Sequence, residues 1–257
     1  MTSAAGAQPV VDFHQHFFHP AETGLAKDSG TVTAKELIEY LDAAKIRRAL
    51  VLSVAYQFGN PNRPPVENEY AKVRAENDWT SQQVSLYPDR LRGFCGVNPL
   101  REYAVKEVER CAADSRLRYG LKLHFGNSDV DLDNPEHVAK LTTVFREADR
   151  RGMAIVVHMH ASVTRGRPYG ARQAQVFLDK VLPATPHVFV QIAHLCGVGG
   201  YDAPVDQAVG VFVDAIERHD PRMDRVYFDI SGMLGSVVLK ESGSRIATRV
   251  RQLAGVY

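Results

Sequence analysis

Residues 10–18 have the sequence VVDFHQHFF, in which two histidines are separated by a single residue. A short apolar run of this kind predicts a β-strand that is buried in a parallel sheet. Side chains at positions i and i+2 of a strand point to the same face, so His14 and His16 can direct two imidazoles at one point. A divalent metal ion needs such converging nitrogen ligands. The segment therefore predicts a first strand that ends in a metal site.

Six further apolar runs follow, and amphipathic segments separate them. The runs occupy residues 47–54, 91–99, 119–125, 153–160, 188–197 and 225–232. The segment after Thr33 predicts a helix that begins with a capping box formed by Thr33 and Glu36. The segment after Asn134 predicts a second helix, which Asn134 caps and which Gly152 ends in the left-handed conformation. The alternation of strands and helices indicates consecutive βα units.

These units predict an α/β fold of the TIM-type (β/α)8 barrel class, truncated before the eighth strand. A barrel of this class has about 250 residues, close to the 257 of this chain. The last segment predicts a helix with Ile246, Val250 and Leu253 on one face, and the chain then stops. We expect a flexible N-terminus at residues 1–9 and a single barrel domain at residues 10–257, incomplete at its C-terminus.

The composition excludes several classes of partner. The chain has 31 basic and 30 acidic residues, so that no strong field favours nucleic acid or an anionic membrane. No window approaches the ~20 apolar residues of a membrane span. The three cysteines are a poor framework for disulfides and fit a reducing compartment, which predicts a cytoplasmic protein. The expected partner is a small-molecule substrate, and homo-oligomer formation is left open.

Six of the 10 histidines lie where a predicted strand ends. They are His14, His16, His124, His158, His160 and His194. The C-terminal ends of barrel strands converge on one rim, where barrel enzymes place their active sites. This set of histidines therefore indicates a metal-dependent active site more strongly than any one of its members does.

The ordered motifs DFHQHFF, VVHMH, IAHLCG and FDISG, together with SLYPDRLRGFCGVNPL around the third strand, resemble the amidohydrolase-related family. This family is the second amidohydrolase group of the metal-dependent hydrolase superfamily, and the likeness spans the chain from residue 10 onward. The resemblance implies that His14, His16 and His158 are metal ligands. It also implies that His194 is the catalytic base or electrophile. The implied cofactor is one divalent metal ion, usually Zn²⁺ and sometimes Mn²⁺.

Further residues are candidates for substrate binding, each with a structural alternative. Lys122 shares a face with His124 and either neutralises a substrate carboxylate or is an inward-facing structural lysine. Arg165, in the loop after the fifth strand, binds an anionic substrate or is solvated. Asp229 lies near the site or bonds to Ser231 and the backbone as a structural carboxylate. The family register favours His158 over His160 as the ligand, which places His160 further out on the rim.

The resemblance predicts a metal-dependent hydrolase of a small carbonyl substrate, an amide, lactone or ester, which uses a metal-activated water. The same ligands serve a non-oxidative decarboxylase of an aromatic or enoic acid, which is the first alternative. The family's remaining ligand is an aspartate at the end of strand eight, and this chain ends before such a strand. The sequence is thus either a fragment or a short form whose barrel is open or closed by a partner. The second alternative is accordingly a non-catalytic chain.

Overall fold

The computed structural model describes residues 10–18, 32–233 and 235–254. Its centre is one curled sheet of seven parallel strands, paired in chain order. The strands are β1 Val11–Gln15, β2 Arg48–Leu52, β3 Leu91–Gly96, β4 Gly120–His124, β5 Ala154–His158, β6 Val190–Ile192 and β7 Val226–Phe228. All seven predicted strands are confirmed. The described ranges hold no eighth strand, and the curled parallel sheet confirms the expected TIM-type α/β barrel class.

Helices connect successive strands and cover the outside of the sheet. The α-helices are α1 Ala34–Ala43, α2 Glu69–Ser85, α3 Ala104–Ala113, α4 Phe125–Ser128, α5 Pro135–Arg150, α6 Ala171–Val176, α7 Ala203–Glu217 and α8 Ser236–Ala254. Helix α6 continues into a π-helical turn at Phe177–Val181. The expected flexible segment 1–9 lies outside the described residues and stays a prediction.

Local sequence signals explain where the best-predicted helices begin and end. The backbone N–H of Thr33 donates to the Glu36 carboxylate at 3.0 Å, as the predicted capping box requires. The Asn134 side chain accepts from the backbone N–H of Glu136 at 2.9 Å and caps α5. Gly152 follows that helix with a φ of 67°, a left-handed conformation that glycine adopts without steric cost.

The core has an outer and an inner layer. The outer layer includes the buried apolar face of α5, which is Val138, Leu141, Val144, Phe145 and Ala148. The inner layer is formed by Leu52, Phe94, Val156 and Ala193. A Cβ atom at Gly120 would lie 2.2 Å from the Phe94 ring, so the inner layer requires glycine at this position of β4.

The buried inner layer borders a cavity on the side of the sheet where β1 and β7 are the two outer strands. This cavity has a volume of about 470 Å³, and its lining is mostly apolar. Phe13, Phe189 and Tyr227 line it with exposed fractions of 53%, 49% and 44%. An eighth strand would normally cover such surface in a closed barrel.

The expectation that the cysteines form no disulfide was wrong. Cys95 of β3 and Cys111 of α3 are joined in a disulfide, with their Cα atoms 6.1 Å apart. Packing of α3 on β3 brings the two residues together, and their separation of 16 positions gave no signal of it. The argument from cysteines for a reducing compartment thus loses its basis, and the cytoplasmic location stays a prediction. In the described ranges no helix has the length and apolarity needed to cross a bilayer.

Candidate metal centre

The C-terminal ends of five strands place polar side chains around one point. These side chains are His14 and His16 at the end of β1, Lys122 and His124 of β4, His158 of β5, His194 after β6 and Asp229 after β7. Parallel strands bring their C-terminal ends to the same rim of the sheet. Residues as far apart in the chain as His14 and Asp229 therefore come into direct contact.

His14 and His16 converge as the sequence predicts. Their Nε2 atoms are 3.2 Å apart. His16 Nδ1 lies 2.7 Å from the carbonyl oxygen of Leu52, and His14 Nδ1 lies 2.9 Å from the Asp229 carboxylate. Both partners accept hydrogen bonds, so each Nδ1 carries the proton and each Nε2 carries a lone pair. The two lone pairs point at the same region.

This donor set fits a divalent metal ion. Two nitrogens that each lie about 2.0–2.1 Å from one tetrahedral zinc ion are about 3.3 Å apart, close to the observed 3.2 Å. Metal-bound histidines typically donate their other N–H to a carboxylate or a carbonyl, as both histidines do here. The pKa of His14 is lowered to about 4, mainly by burial and to a smaller extent by the charge of the nearby Lys122. The ring is therefore neutral at pH 7.

Lys122 is buried beside the two histidines. Its Nζ atom is 3.4 Å from His14 Nε2, and its side chain is 1% exposed. Burial lowers the pKa of Lys122 to about 7, although the charge of Asp229 opposes the shift. Near neutral pH this lysine therefore exchanges between ammonium and amine, and in both forms it can donate a hydrogen bond into the site.

His124 and His158 stack on one another. The sheet register pairs the two residues directly, and their ring centroids are 3.8 Å apart with an interplanar angle of 12°. His124 Nδ1 accepts a hydrogen bond from the backbone N–H of Asn127 at 3.1 Å, so its Nε2 carries the proton. The His158 centroid is 5.0 Å from that of His194. The role of His158 as a metal ligand stays a prediction.

His194 lies in a strained turn directly after β6. His194, Leu195 and Cys196 have φ values of 56°, 45° and 64°, a left-handed run that non-glycine residues seldom adopt. Strain of this kind is typical of functional sites, where the surrounding structure enforces it. His194 Nδ1 lies 2.6 Å from the carbonyl oxygen of Ser231, so its Nε2 is left as an acceptor.

Asp229 is the carboxylate of the site. His14, His194 and Asp229 each offer one ligand atom, and these atoms lie within 4.8 Å of one another. Burial alone would raise the pKa of Asp229. The hydrogen bond and charge of His14, followed by bonds from His194 N and Ser231, instead hold that pKa well below its usual range. Asp229 is therefore ionised at neutral pH.

Two predicted substrate-binding residues have partners in the surrounding loops. His160 Nδ1 lies 2.9 Å from the carbonyl oxygen of Ala161, and its ring packs on Tyr169 at 4.1 Å between centroids. Arg165 donates to the Asn62 side chain at 3.2 Å and to the Pro61 carbonyl oxygen at 2.9 Å. In this structure both residues hold the loops that follow β2 and β5, and their substrate-binding roles stay predictions.

The sequence offered Ser231 as a bonding partner of Asp229, which the structure confirms, but sequence reasoning missed a second partner, Gln191. Gln191 of β6 donates to one carboxylate oxygen at 2.5 Å, and the Ser231 hydroxyl donates to the other at 2.6 Å. The signal for Gln191 was a polar residue between the buried Val190 and Ile192, since alternation turns it toward the inside of the barrel.

The chain belongs to the amidohydrolase 2 family, since the family model described as Amidohydrolase matches residues 11–254. No curated protein matches the chain.

Several solved structures share the fold. A 5-carboxyvanillate decarboxylase from Sphingomonas paucimobilis has a TM-score of 0.61 at 15% identity, with coverage of 93% of this chain and 85% of the other. Amidohydrolase 2 from Bifidobacterium longum subsp. infantis has a TM-score of 0.52 at 17% identity, with coverage of 96% and 80%. A 5-carboxyvanillate decarboxylase mutant from Novosphingobium aromaticivorans, with bound manganese, has a TM-score of 0.53 at 12% identity and covers 88% of each chain.

Proposed function

We propose that this protein is a metal-dependent hydrolase of a small carbonyl substrate, an amide, lactone or ester. The observation that carries the proposal is the pair of Nε2 lone pairs, 3.2 Å apart, on His14 and His16. Hydrogen bonds at both Nδ1 atoms fix this arrangement. We propose His158 as a further ligand and Zn²⁺ as the ion, with Mn²⁺ as the alternative that one structural neighbour carries.

When bound, the ion supplies Lewis-acid polarisation of a carbonyl group and activation of water. His194 acts as the general base in this proposal. Burial lowers the pKa of His194, so its ring is neutral at pH 7 and its Nε2 can accept a proton from the attacking water. The Ser231 carbonyl oxygen, 2.6 Å from Nδ1, stabilises the imidazolium that forms.

Lys122 and His124 bind the substrate in this proposal. Both side chains donate hydrogen bonds, and both lie on the inner face of β4. Lys122 Nζ is close enough to His14 to reach an oxygen of a substrate held at the two histidines. A buried hydrogen-bond donor of this kind stabilises the substrate oxygen that gains negative charge during attack on a carbonyl group.

The second candidate is non-oxidative decarboxylation of an aromatic or enoic acid. The specific observation in its favour is Lys122, because a cation buried at the site offers a counter-ion to a substrate carboxylate. In this reaction the bond between the carboxyl carbon and the adjacent carbon breaks, CO₂ leaves, and the adjacent carbon takes up a proton.

A substrate screen of the metal-loaded protein separates these functions. The protein is loaded with Zn²⁺ or Mn²⁺ and assayed with esters, lactones and amides for hydrolysis, and with aromatic acids for CO₂ release. His194→Asn should lower the hydrolytic kcat by about 10²-fold or more. The matched control, His187→Asn, changes an exposed histidine that pairs with Asp149 and should leave kcat unchanged.

Release of CO₂ without hydrolysis would favour the decarboxylase. Turnover of neither substrate class by metal-loaded protein would favour a non-catalytic chain. The absence of nucleic-acid and membrane partners and the formation of homo-oligomers stay predictions.

A further inference from the structure

Asp229 lies where the ends of β1, β6 and β7 meet, and it accepts five hydrogen bonds. One carboxylate oxygen accepts from His14 Nδ1 at 2.9 Å and from Gln191 Nε2 at 2.5 Å. The other accepts from the backbone N–H of His194 at 2.9 Å, and from the N–H and the hydroxyl of Ser231 at 3.0 and 2.6 Å. Donors therefore occupy both oxygens, which suits a supporting carboxylate better than a substrate-binding one.

The same carboxylate supports both functional histidines. It fixes the His14 proton on Nδ1 and thus leaves Nε2 as an acceptor. Asp229 also holds the left-handed turn of His194. Its carboxylate accepts a hydrogen bond from the backbone N–H of His194, and its backbone carbonyl oxygen accepts one from the N–H of Leu195 at 2.8 Å. This backbone conformation directs His194 Nδ1 at the Ser231 carbonyl oxygen.

Gln191 connects the Asp229 carboxylate, which follows β7, to the backbone of β1. In the described ranges β1 and β7 share no ladder of hydrogen bonds. Gln191 Nε2 contacts the Asp229 carboxylate at 2.5 Å and the carbonyl oxygen of Phe13 in β1 at 3.5 Å. Side chains therefore connect the two outer strands at the rim that carries the site.

We propose that Asp229, held in place by Gln191 and Ser231, is a positioning residue that selects the tautomer of His14 and fixes the turn of His194. This role develops the structural alternative that the sequence left open for Asp229, a carboxylate that bonds to Ser231 and the backbone. The inference rests on the proposed metal-dependent function, since it assigns Asp229 to the support of a metal ligand. The effect on His14 also exists without metal, so the two claims can be tested apart.

Asp229→Asn is the most direct perturbation because it preserves shape and removes one acceptor. Its amide nitrogen would face His14 Nδ1, so Nδ1 would have to become the acceptor and Nε2 would take the proton. The Nε2–H of His14 would then point at His16 Nε2, 3.2 Å away, and close the ligand pair. Loss of a partner behind a metal-bound histidine typically lowers metal affinity about 10- to 100-fold.

The first readout is the tautomer of His14 in metal-free protein, from ¹⁵N NMR of labelled histidine in the presence of a chelator. His14→Gln identifies the His14 signals by their loss. The second readout is the affinity for Zn²⁺ and Mn²⁺ by calorimetric titration. The matched control is Asp179→Asn, which removes a carboxylate from an exposed pair with Arg222.

We expect wild type and Asp179→Asn to show the Nδ1–H tautomer and equal metal affinity. We expect Asp229→Asn to show the Nε2–H tautomer and an affinity at least about tenfold lower. An unchanged tautomer in Asp229→Asn would overturn the proposal, and if affinity were nevertheless lost, Asp229 would itself be a metal ligand.

Should Asp229→Asn fail to fold, Gln191→Met tests the same network with the carboxylate in place. It removes the donor that holds Asp229 and should weaken metal binding by about tenfold. Wild-type affinity in that variant would overturn the proposal. If wild type bound neither metal, the proposed function would fail, while the tautomer of His14 would still decide the role of Asp229.

Discussion

Lys122→Met in the metal-free protein should make the fold more stable at pH 7 and change how its stability depends on pH. Lys122 is among the largest fully buried side chains, with an exposed fraction of 1%. Burial lowers its pKa from 10.5 to about 7. Methionine has a similar unbranched shape and carries no charge to desolvate.

Because the pKa falls from 10.5 to about 7, burial of the charged Lys122 lowers the free energy of unfolding by at most about 5 kcal/mol, at about 1.4 kcal/mol for each pH unit between the two values. Between about pH 7 and pH 10.5 the unfolded chain keeps a proton on Lys122 that the folded chain has lost. The contribution of this lysine to the free energy of unfolding therefore rises with pH in that window, by up to about 1.4 kcal/mol per unit. Below pH 7 Lys122 is charged in both the folded and the unfolded chain, so the full free-energy cost of burying its charge lowers the stability of the fold.

The assay is urea unfolding of both proteins in a chelating buffer at pH 7, 8 and 9. The free energy of unfolding of Lys122→Met should exceed that of wild type most at pH 7, and the difference should become smaller at pH 8 and again at pH 9. Lys35→Met, at a side chain that is 75% exposed, is the control and should follow the wild-type pH dependence. A difference between Lys122→Met and wild type that stays constant from pH 7 to 9 would refute the reasoning.

Three further predictions concern the scaffold, and urea unfolding checks each. Gly120→Ala should destabilise the fold by roughly 1–3 kcal/mol, because its Cβ would lie 2.2 Å from the Phe94 ring; wild-type stability would contradict the packing described for the inner layer. Asn134→Ala should cost about 1 kcal/mol through loss of the α5 cap, and no loss would contradict the cap. Asp206→Asn should cost up to about 1 kcal/mol at pH 7, where Asp206 pairs with Arg249. The pKa of Asp206 is lowered in the fold, so this loss should vanish as the pH falls through that lowered pKa, and a loss that persisted at lower pH would contradict the ion pair.

The sequence predicts the fold well because its signals are local. Each strand is a compact apolar run, and the caps of α1 and α5 depend on residues within three positions of one another. The convergence of His14 and His16 follows from the period of a strand in the same way. The final described helix, α8, is likewise visible in the sequence as a segment with helical periodicity.

Apart from the local bond between Asp229 and Ser231, the partners of the site residues were not predictable, because they depend on long-range packing. His14 bonds to Asp229 across 215 positions, and Arg165 bonds to Asn62 across 103. The sequence left Arg165 either as a ligand for an anionic substrate or as a solvated side chain, and it gave no indication of the bonds to Asn62 and Pro61. Its substrate-binding role stays a prediction. The bond between Gln191 and Asp229 depends on the order of β6 and β7 in the sheet, which a single sequence pattern does not contain.

The metal content of the purified chain tests the central claim most directly. Elemental analysis of wild type is compared with the His14→Ala, His16→Ala double variant, and His187→Ala is the control. We predict about one zinc or manganese ion per chain in wild type and in the control, and none in the double variant. Absence of metal from wild type even after incubation with Zn²⁺ and Mn²⁺, or equal metal content in the double variant, would contradict a metal centre at the end of β1.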